Sequence, residues 1–346
     1  MRFFKRTASD PAARGDFWAW WSGARDRVAN AIATGGFDER LVGEISEAVA
    51  SIHPSMGWEL EPGKAAQHAF CISPEGNAEL RQVALRWLAS APEPDATWEY
   101  HASKQPSPKL MGLEIGSWRF DLEEMRAIPS WDAARRRVDV RLWHPQFAEA
   151  PEPVRIQAGF VFLDSLLGED DVERWVGQID LLDAPTGGRT PAELKAEVER
   201  HASDPSGDET WVLGELRDRS GSVAIVSANA GLKRIDHPFA DHHVTLAVVF
   251  GADRMPTGGE AAVLNEQEDD FLRRVGDLAT YAGRVTEPGV RTMHFVAEDP
   301  DALRPAIDGW AADLPDTLSE GLPQTRLKVN FELDTDWSFQ RDLGVR

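Results

Sequence analysis

Arg284-Val-Thr-Glu-Pro288-Gly289-Val-Arg291-Thr-Met-His294-Phe-Val-Ala-Glu-Asp299 is the stretch from which the fold is read. Pro288-Gly289 marks a turn, because proline presets the first turn angle and glycine accepts a positive φ. Beyond it, Val290, Thr292, His294 and Val296 fall on one side of an extended chain, and Arg291, Met293, Phe295 and Ala297 on the other. Both sides are mostly apolar, so the spacing predicts a strand covered on both faces, with Arg291 and His294 as its polar exceptions. A polar group in such a place needs a partner, which makes Arg291 and His294 candidate binding contacts. Lying on opposite faces, they cannot act on one small ligand from that strand alone. A neighbouring carboxylate or backbone carbonyl is the expected partner of each.

Around this stretch the second half reads regularly. Strands fit residues 210–218, 222–230 and 243–251, the first two joined by Arg219-Ser220-Gly221. A helix fits 260–283, with Leu264, Phe271, Val275, Leu278 and Ala282 in register. Another fits 302–314, and Leu327, Val329, Phe331 and Leu333 alternate in a last strand. Three strands, helix, two strands, helix, strand is the order of an antiparallel sheet with helices on one face.

The first half opens with helices at 16–33 and 38–52, where Phe17, Trp21, Ala24 and Val28 keep helical spacing. The cluster Phe17-Trp18-Ala-Trp20-Trp21 reads as a packing anchor, with a partner-binding aromatic patch as the alternative. Strands fit 57–61 and 67–73, then Asn77 caps a helix. Strands follow at 97–103, 111–119, 124–128 and 136–143, a helix at 154–168 with Ile156, Phe160, Leu163 and Leu167 inward, and a strand at 175–182. Asp164 sits inside that apolar helix, and Glu169-Asp170-Asp171 reads as a solvated helix start.

Ala184-Pro-Thr-Gly-Gly188 and Asp204-Pro-Ser-Gly-Asp208 are breaker clusters, with the capping box Thr190-Pro191-Ala-Glu193 opening a polar, exposed helix between them. The expected organisation is therefore an N-terminal domain over 1–183, a linker over 184–208 and a C-terminal domain over 209–346. The fold class is α+β, each domain an antiparallel sheet with helices on one face in a ferredoxin-like outline.

Apolar residues make up 42% of the 346 residues and charged ones 27%, which is the balance of an ordered globular chain. The formal charge of −21 repels phosphate backbones, and the only dense basic run is Arg135-Arg136-Arg137, so nucleic acid is excluded as a direct partner. A partner protein with a basic surface suits that charge. Cys71 is the single cysteine, which rules out an intrachain disulfide and a cysteine zinc site; it reads as a buried thiol. The start, Met1-Arg-Phe-Phe-Lys-Arg6, precedes no apolar segment, and no run approaches the ~20 residues of a membrane span, so a cytoplasmic location is expected.

His237, Asp241, His242 and His243 are the one dense group of possible metal ligands; two histidines and a carboxylate suit zinc or iron. No HExxH-type spacing supports them, and an exposed turn entering a strand explains them equally well. His243 doubles as a candidate binding contact. Asp334 and Asp336 admit an acid–base pair, against the commoner role of capping a short terminal helix. Gly-x-Ser-x-Gly is absent, and neither Gly187-Gly188 nor Gly258-Gly259 has the ending of a phosphate loop.

Residues 209–340 resemble the bacterial domain of unknown function 695, on 244–250, Leu264-Asn-Glu-Gln-Glu268, 286–289 with Arg291 and Phe295, and Asp336-Trp337. The first half is similar to an N-terminal region of uncharacterised bacterial proteins, through Phe17-Trp18-Ala-Trp20, Ala91-Pro92 before Trp98, and Leu163-Asp164-Ser-Leu-Leu-Gly168-Glu169. Such domains are associated with the RNase E activity regulator B type, a ferredoxin-like inhibitor that binds protein, although this chain lacks long acidic tracts. The resemblance implies binding or regulation, with no catalytic residues to carry over and no cofactor. The expectation is a non-enzymatic regulatory protein acting through protein contacts; the alternative is a metal-dependent hydrolase using His237–His243.

Overall fold

The computed structural model describes residues 11–184, 187–203, 210–217, 222–250, 254–318, 322 and 325–344. The start at 1–6, the breaker 204–208 and the turn 219–221 lie outside the described residues. The chain is α+β and divides into two compact units, one of residues 1–130 and 138–201, the other of 131–137 and 202–346.

In the first unit α1 (Pro11–Thr34), α2 (Glu39–Ile52) and α3 (Ala78–Ala89) accompany a sheet of β1 (Gly57–Pro62), β2 (His68–Ser73) and β3 (Trp98–His101). Asn77 caps α3, its side chain accepting from Glu79 N at 3.0 Å. The aromatic cluster of α1 is core: Phe17, Trp21, Phe70, Trp87 and Trp98 are fully buried against one another. The Trp21 indole, which must not be left unbonded inside, donates to Tyr100 OH at 3.0 Å.

The segment read as one strand at 111–119 is a hairpin, β4 (Gly112–Ile115) and β5 (Trp118–Asp121), because Gly116 turns at φ +60°. Next come β6 (Arg126–Asp132), β7 (Arg137–Trp143), α4 (Glu152–Leu167), α5 (Glu169–Trp175) and β8 (Val176–Leu181). β2 pairs parallel with β3 and β7 parallel with β8, so this unit departs from the single antiparallel sheet of the expected outline. α4 buries Leu163 and Leu167 of the expected stripe together with Ala158, Phe162 and Leu166, and leaves Ile156 and Phe160 exposed, so its inward face is rotated over the first half of the helix. The helix expected to be exposed, α6 (Pro191–Ala202), buries Leu194 and Val198.

The described strands of the second unit are β9 (Trp211–Arg217), β10 (Val223–Asn229), β11 (His242–Val249), β12 (Thr280–Glu287), β13 (Val290–Ala297) and β14 (Arg326–Leu333). They form one antiparallel sheet in the order β14-β11-β13-β12-β10-β9. Gly289, at φ +84°, makes the β12–β13 turn. Gly283 sits at a bulge in β12 where an added Cβ would lie 2.5 Å from Ser227 O, so only glycine permits that approach of β10. The long helix read over 260–283 ends early: α7 (Gly258–Val275) stops where Gly276 takes φ +49°, and Tyr281 and Ala282 belong to β12. α7 and α8 (Arg304–Asp313) cover one face, packing Leu264, Phe271, Ile307 and Trp310 on Val244, Leu246, Met293 and Phe295. The opposite face is not bare. Trp337, Phe339 and Leu343, around the short α9 (Phe339–Asp342), pack with Val226, Ala228, Ala282 and Val296.

Candidate functional site

Arg291 points to the helix-covered face and is buried, as its place in the alternation requires. Its guanidinium donates from Nη1 to Asn265 Oδ1 at 2.7 Å and from Nε to Thr286 Oγ1 at 3.2 Å. Asn265 and Glu268 lie one turn apart on α7, whose register is set by the capping box of Thr257 and Glu260. The buried Glu268 carboxylate receives Tyr281 OH and Arg284 Nη1, each at 2.7 Å, and stands 3.5 Å from Arg291 Nη1. One carboxylate thus answers two guanidiniums. Burial pulls the Arg291 pKa down, and the charge of Arg284 pulls it the same way. Burial, then the charge of Glu268, pushes the Tyr281 phenol up.

His294 leaves the same strand on the other face. Its Nδ1 is 3.0 Å from His243 Nε2, in place of the expected carboxylate or carbonyl. The two rings lie nearly parallel, and Phe339 stacks on His243 with centroids 4.2 Å apart. Burial, followed by the neighbouring His243, holds His294 at about 3, so the ring is neutral at ordinary pH.

The remaining candidates of the sequence disperse. His237 packs on the Trp337 ring, His242 Nδ1 lies 2.8 Å from Asp241 Oδ1, and His243 turns to the opposite side of β11 from His242. Among the described residues no group of three or more His, Cys, Asp or Glu is arranged to hold a metal ion. Asp334 caps the C-terminal turn, accepting from Ser338 N at 2.8 Å and Phe339 N at 3.0 Å. Burial alone would raise its pKa, but these donors lower it. Asp336 lies 3.7 Å from Arg341.

Two places were not singled out from the sequence. The first is the β9 end of the second unit's sheet. One row of side chains on the helix-bearing face runs Leu213, Ser227, Arg284, Met293, Leu246, Val329 across all six strands. Met293 and Leu246 are buried beneath the helices, yet Leu213 is 78% exposed and Trp211, on the same face, 43%. The helices stop short of β9.

The second is a cleft of about 60 Å³ in the first unit, lined by Glu59 and Glu61 of β1, Lys104, Ser107, and Asp164 and Ser165 of α4. Lys104 Nζ lies 3.3 Å from Glu59 Oε1 and 3.2 Å from Glu75 Oε1. Burial and then the charge of Glu59 raise Glu61 to about 7; burial and then Glu169 raise Asp164 to about 6. Two carboxyls of the cleft are thus raised toward neutrality by their surroundings. Glu169, expected in solvent, is buried because Ser73 Oγ and the backbone N–H groups of Gly76 and Lys104 all donate to it. Cys71 is buried, 2.9 Å from Ser103 O, and burial pushes its thiol up. The sequence signals were present: Glu59 and Glu61 share a strand face, and Asp164 interrupts an apolar helix.

No helix among the described residues is long and apolar enough to cross a membrane. No protein-family model matches the chain, and neither a curated protein nor a solved structure matches it.

Proposed function

We propose that this protein is a cytoplasmic, non-enzymatic binding protein whose second unit docks a partner polypeptide on the open β9 end of its sheet. The single observation that carries this reading is the exposure of Leu213 and Trp211 on a seven-residue terminal strand. Large apolar side chains left uncovered at the end of a sheet face mark a contact surface for a further chain, because soluble proteins ordinarily keep such patches small. The charge of −21 speeds encounter with a partner that is basic overall. Selection of displayed random peptides on the immobilised full chain tests the reading. Leu213→Glu, which removes no core contact, abolishes retention of the selected peptides; undiminished binding to that variant overturns it.

A second reading is favoured by the cleft. Glu61 is raised to about 7 by burial and then by the charge of Glu59, whose Oε1 lies 3.3 Å from Lys104 Nζ, and a carboxyl poised near neutrality suits general acid–base chemistry. On this reading a hydrolase role rests on Glu59 and Glu61, with no step assigned to His237, His242 or His243. Chromogenic ester, glycoside and phosphoester substrates test it: turnover by the wild type that Glu61→Gln abolishes supports the reading, and no turnover of any class sinks it.

A further inference from the structure

The open end of the sheet has a charge of its own. Behind Leu213 in the same row come Ser227 and Arg284, about 5 Å per strand apart, so the guanidinium of Arg284 stands at the border between the covered and uncovered parts of the face. It is 30% exposed, and among the described residues it makes one hydrogen bond, from Nη1 to Glu268. Glu268 is shared with Arg291, which is buried. The set Arg284, Arg291 and Glu268 carries a net charge of +1, and the only guanidinium of the set with appreciable exposure is Arg284. Trp211 and Tyr281, with ring centroids 5.5 Å apart, lie on the same face of the sheet as Arg284. An anion reaching this point would meet a rigid fork of donors held from behind by Glu268.

We propose that Arg284 is a carboxylate-recognition point: the segment docked across Leu213 and Trp211 is apolar and presents one Asp or Glu side chain to this guanidinium. The proposal rests on the docking reading above and names the chemistry of the partner. The formal sign of the set Arg284, Arg291 and Glu268 is opposite to that of the whole molecule, and Glu215 on the same face is paired with Arg217. A strongly acidic ligand is turned away by the net charge of −21, and a segment without any acid leaves the excess positive charge of the Arg284 set unanswered. One carboxylate among apolar side chains meets both conditions. A planar, bidentate contact is what distinguishes arginine from lysine here.

The test uses peptides enriched by display selection on the full-length protein, each synthesised with its acidic residue and with the matching amide, Asp to Asn or Glu to Gln. Their affinities are read by fluorescence polarisation against wild type, Arg284→Gln, Arg284→Lys and Leu213→Glu. The amide copy is expected to bind the wild type about tenfold more weakly, the size of one charge-assisted hydrogen-bonded contact. Arg284→Gln removes the difference between the two copies, and Arg284→Lys restores part of it. If both copies bind the wild type equally, or Arg284→Gln keeps the preference for acid, the carboxylate point is overturned while docking stands, provided Leu213→Glu abolishes both. If no peptide is enriched, or Leu213→Glu binds as wild type does, the docking reading itself falls. The peptide-side substitution leaves the protein unaltered, so a poorly folded variant cannot mask the answer.

Discussion

His243 Nε2 and His294 Nδ1 meet at 3.0 Å across β11 and β13, under the ring of Phe339, while Arg291 leaves β13 on the opposite face toward Glu268. The strand thus carries two polar solutions back to back, an imidazole pair and a charged network, with the sheet between them.

The imidazole pair makes stability depend on pH. His294 titrates at about 3 in the fold and near 6.5 when exposed, so the unfolded chain binds the extra proton between those values. Stability from this group is full above about 6.5 and is lost as pH falls toward 3, with a slope of at most about 1.4 kcal/mol per pH unit. Urea midpoints measured from pH 7 to pH 4 should fall more steeply for the wild type than for His294→Asn. Equal slopes would contradict the assignment.

The charged network should respond asymmetrically to substitution. Glu268→Gln leaves two guanidiniums facing each other, one of them buried, at a cost of about 3 kcal/mol. Arg284→Gln removes a partly exposed partner and should cost less than about 1 kcal/mol. Adding Arg291→Met to Glu268→Gln recovers part of the loss, because the stranded charge goes with it. Urea unfolding of the four proteins checks this, and a Glu268→Gln cost within about 0.5 kcal/mol of zero sinks it.

In the first unit the tryptophans of α1 differ in worth. Trp21 is fully buried and bonded to Tyr100, whereas Trp20 is only partly covered. Trp21→Ala is expected to cost about 3–5 kcal/mol and Trp20→Ala clearly less. Thermal or chemical unfolding decides; similar losses for the two would mean the α1 packing is wrong.

Glu61 carries the opposite pH sign to His294. Its pKa is raised from 4.5 to about 7, so the stability it contributes is full below 4.5 and is lost as pH rises through 7. A carbon-13 NMR titration of the Glu61 carboxyl should show a midpoint near 7, moved down in Glu59→Gln, since the charge of Glu59 adds to burial in raising it. A midpoint in the ordinary carboxylate range removes the cleft from consideration.

Much of the fold was legible where neighbours along the chain decide it. The alternation of 290–297, the Asn77 cap and the turn at Pro288-Gly289 all rest on local geometry. Errors came where two local signals competed. Leu278 and Ala282 extend the α7 periodicity, but Gly276 ends the helix, and β12 gains pairing on both sides in exchange. The rotation of α4 could not be read, because Ile156–Phe160 and Phe162–Leu166 are equally apolar lines on one helix, and only packing chooses between them.

The sequence by itself determined most of the segments that extend or coil, which side chains share a strand face, and the α+β class, because those follow from dihedral preference and a period of two or 3.6 residues. The tertiary structure alone decided that Glu268 meets Arg284 and Arg291, that Glu59 and Glu61 close on Lys104 and Asp164, and that β9 lies beyond the helices. Those meetings join residues far apart in the chain. Whether a carboxylate is solvated, paired or left holding its proton is set by what packs around it, and no local pattern records that environment.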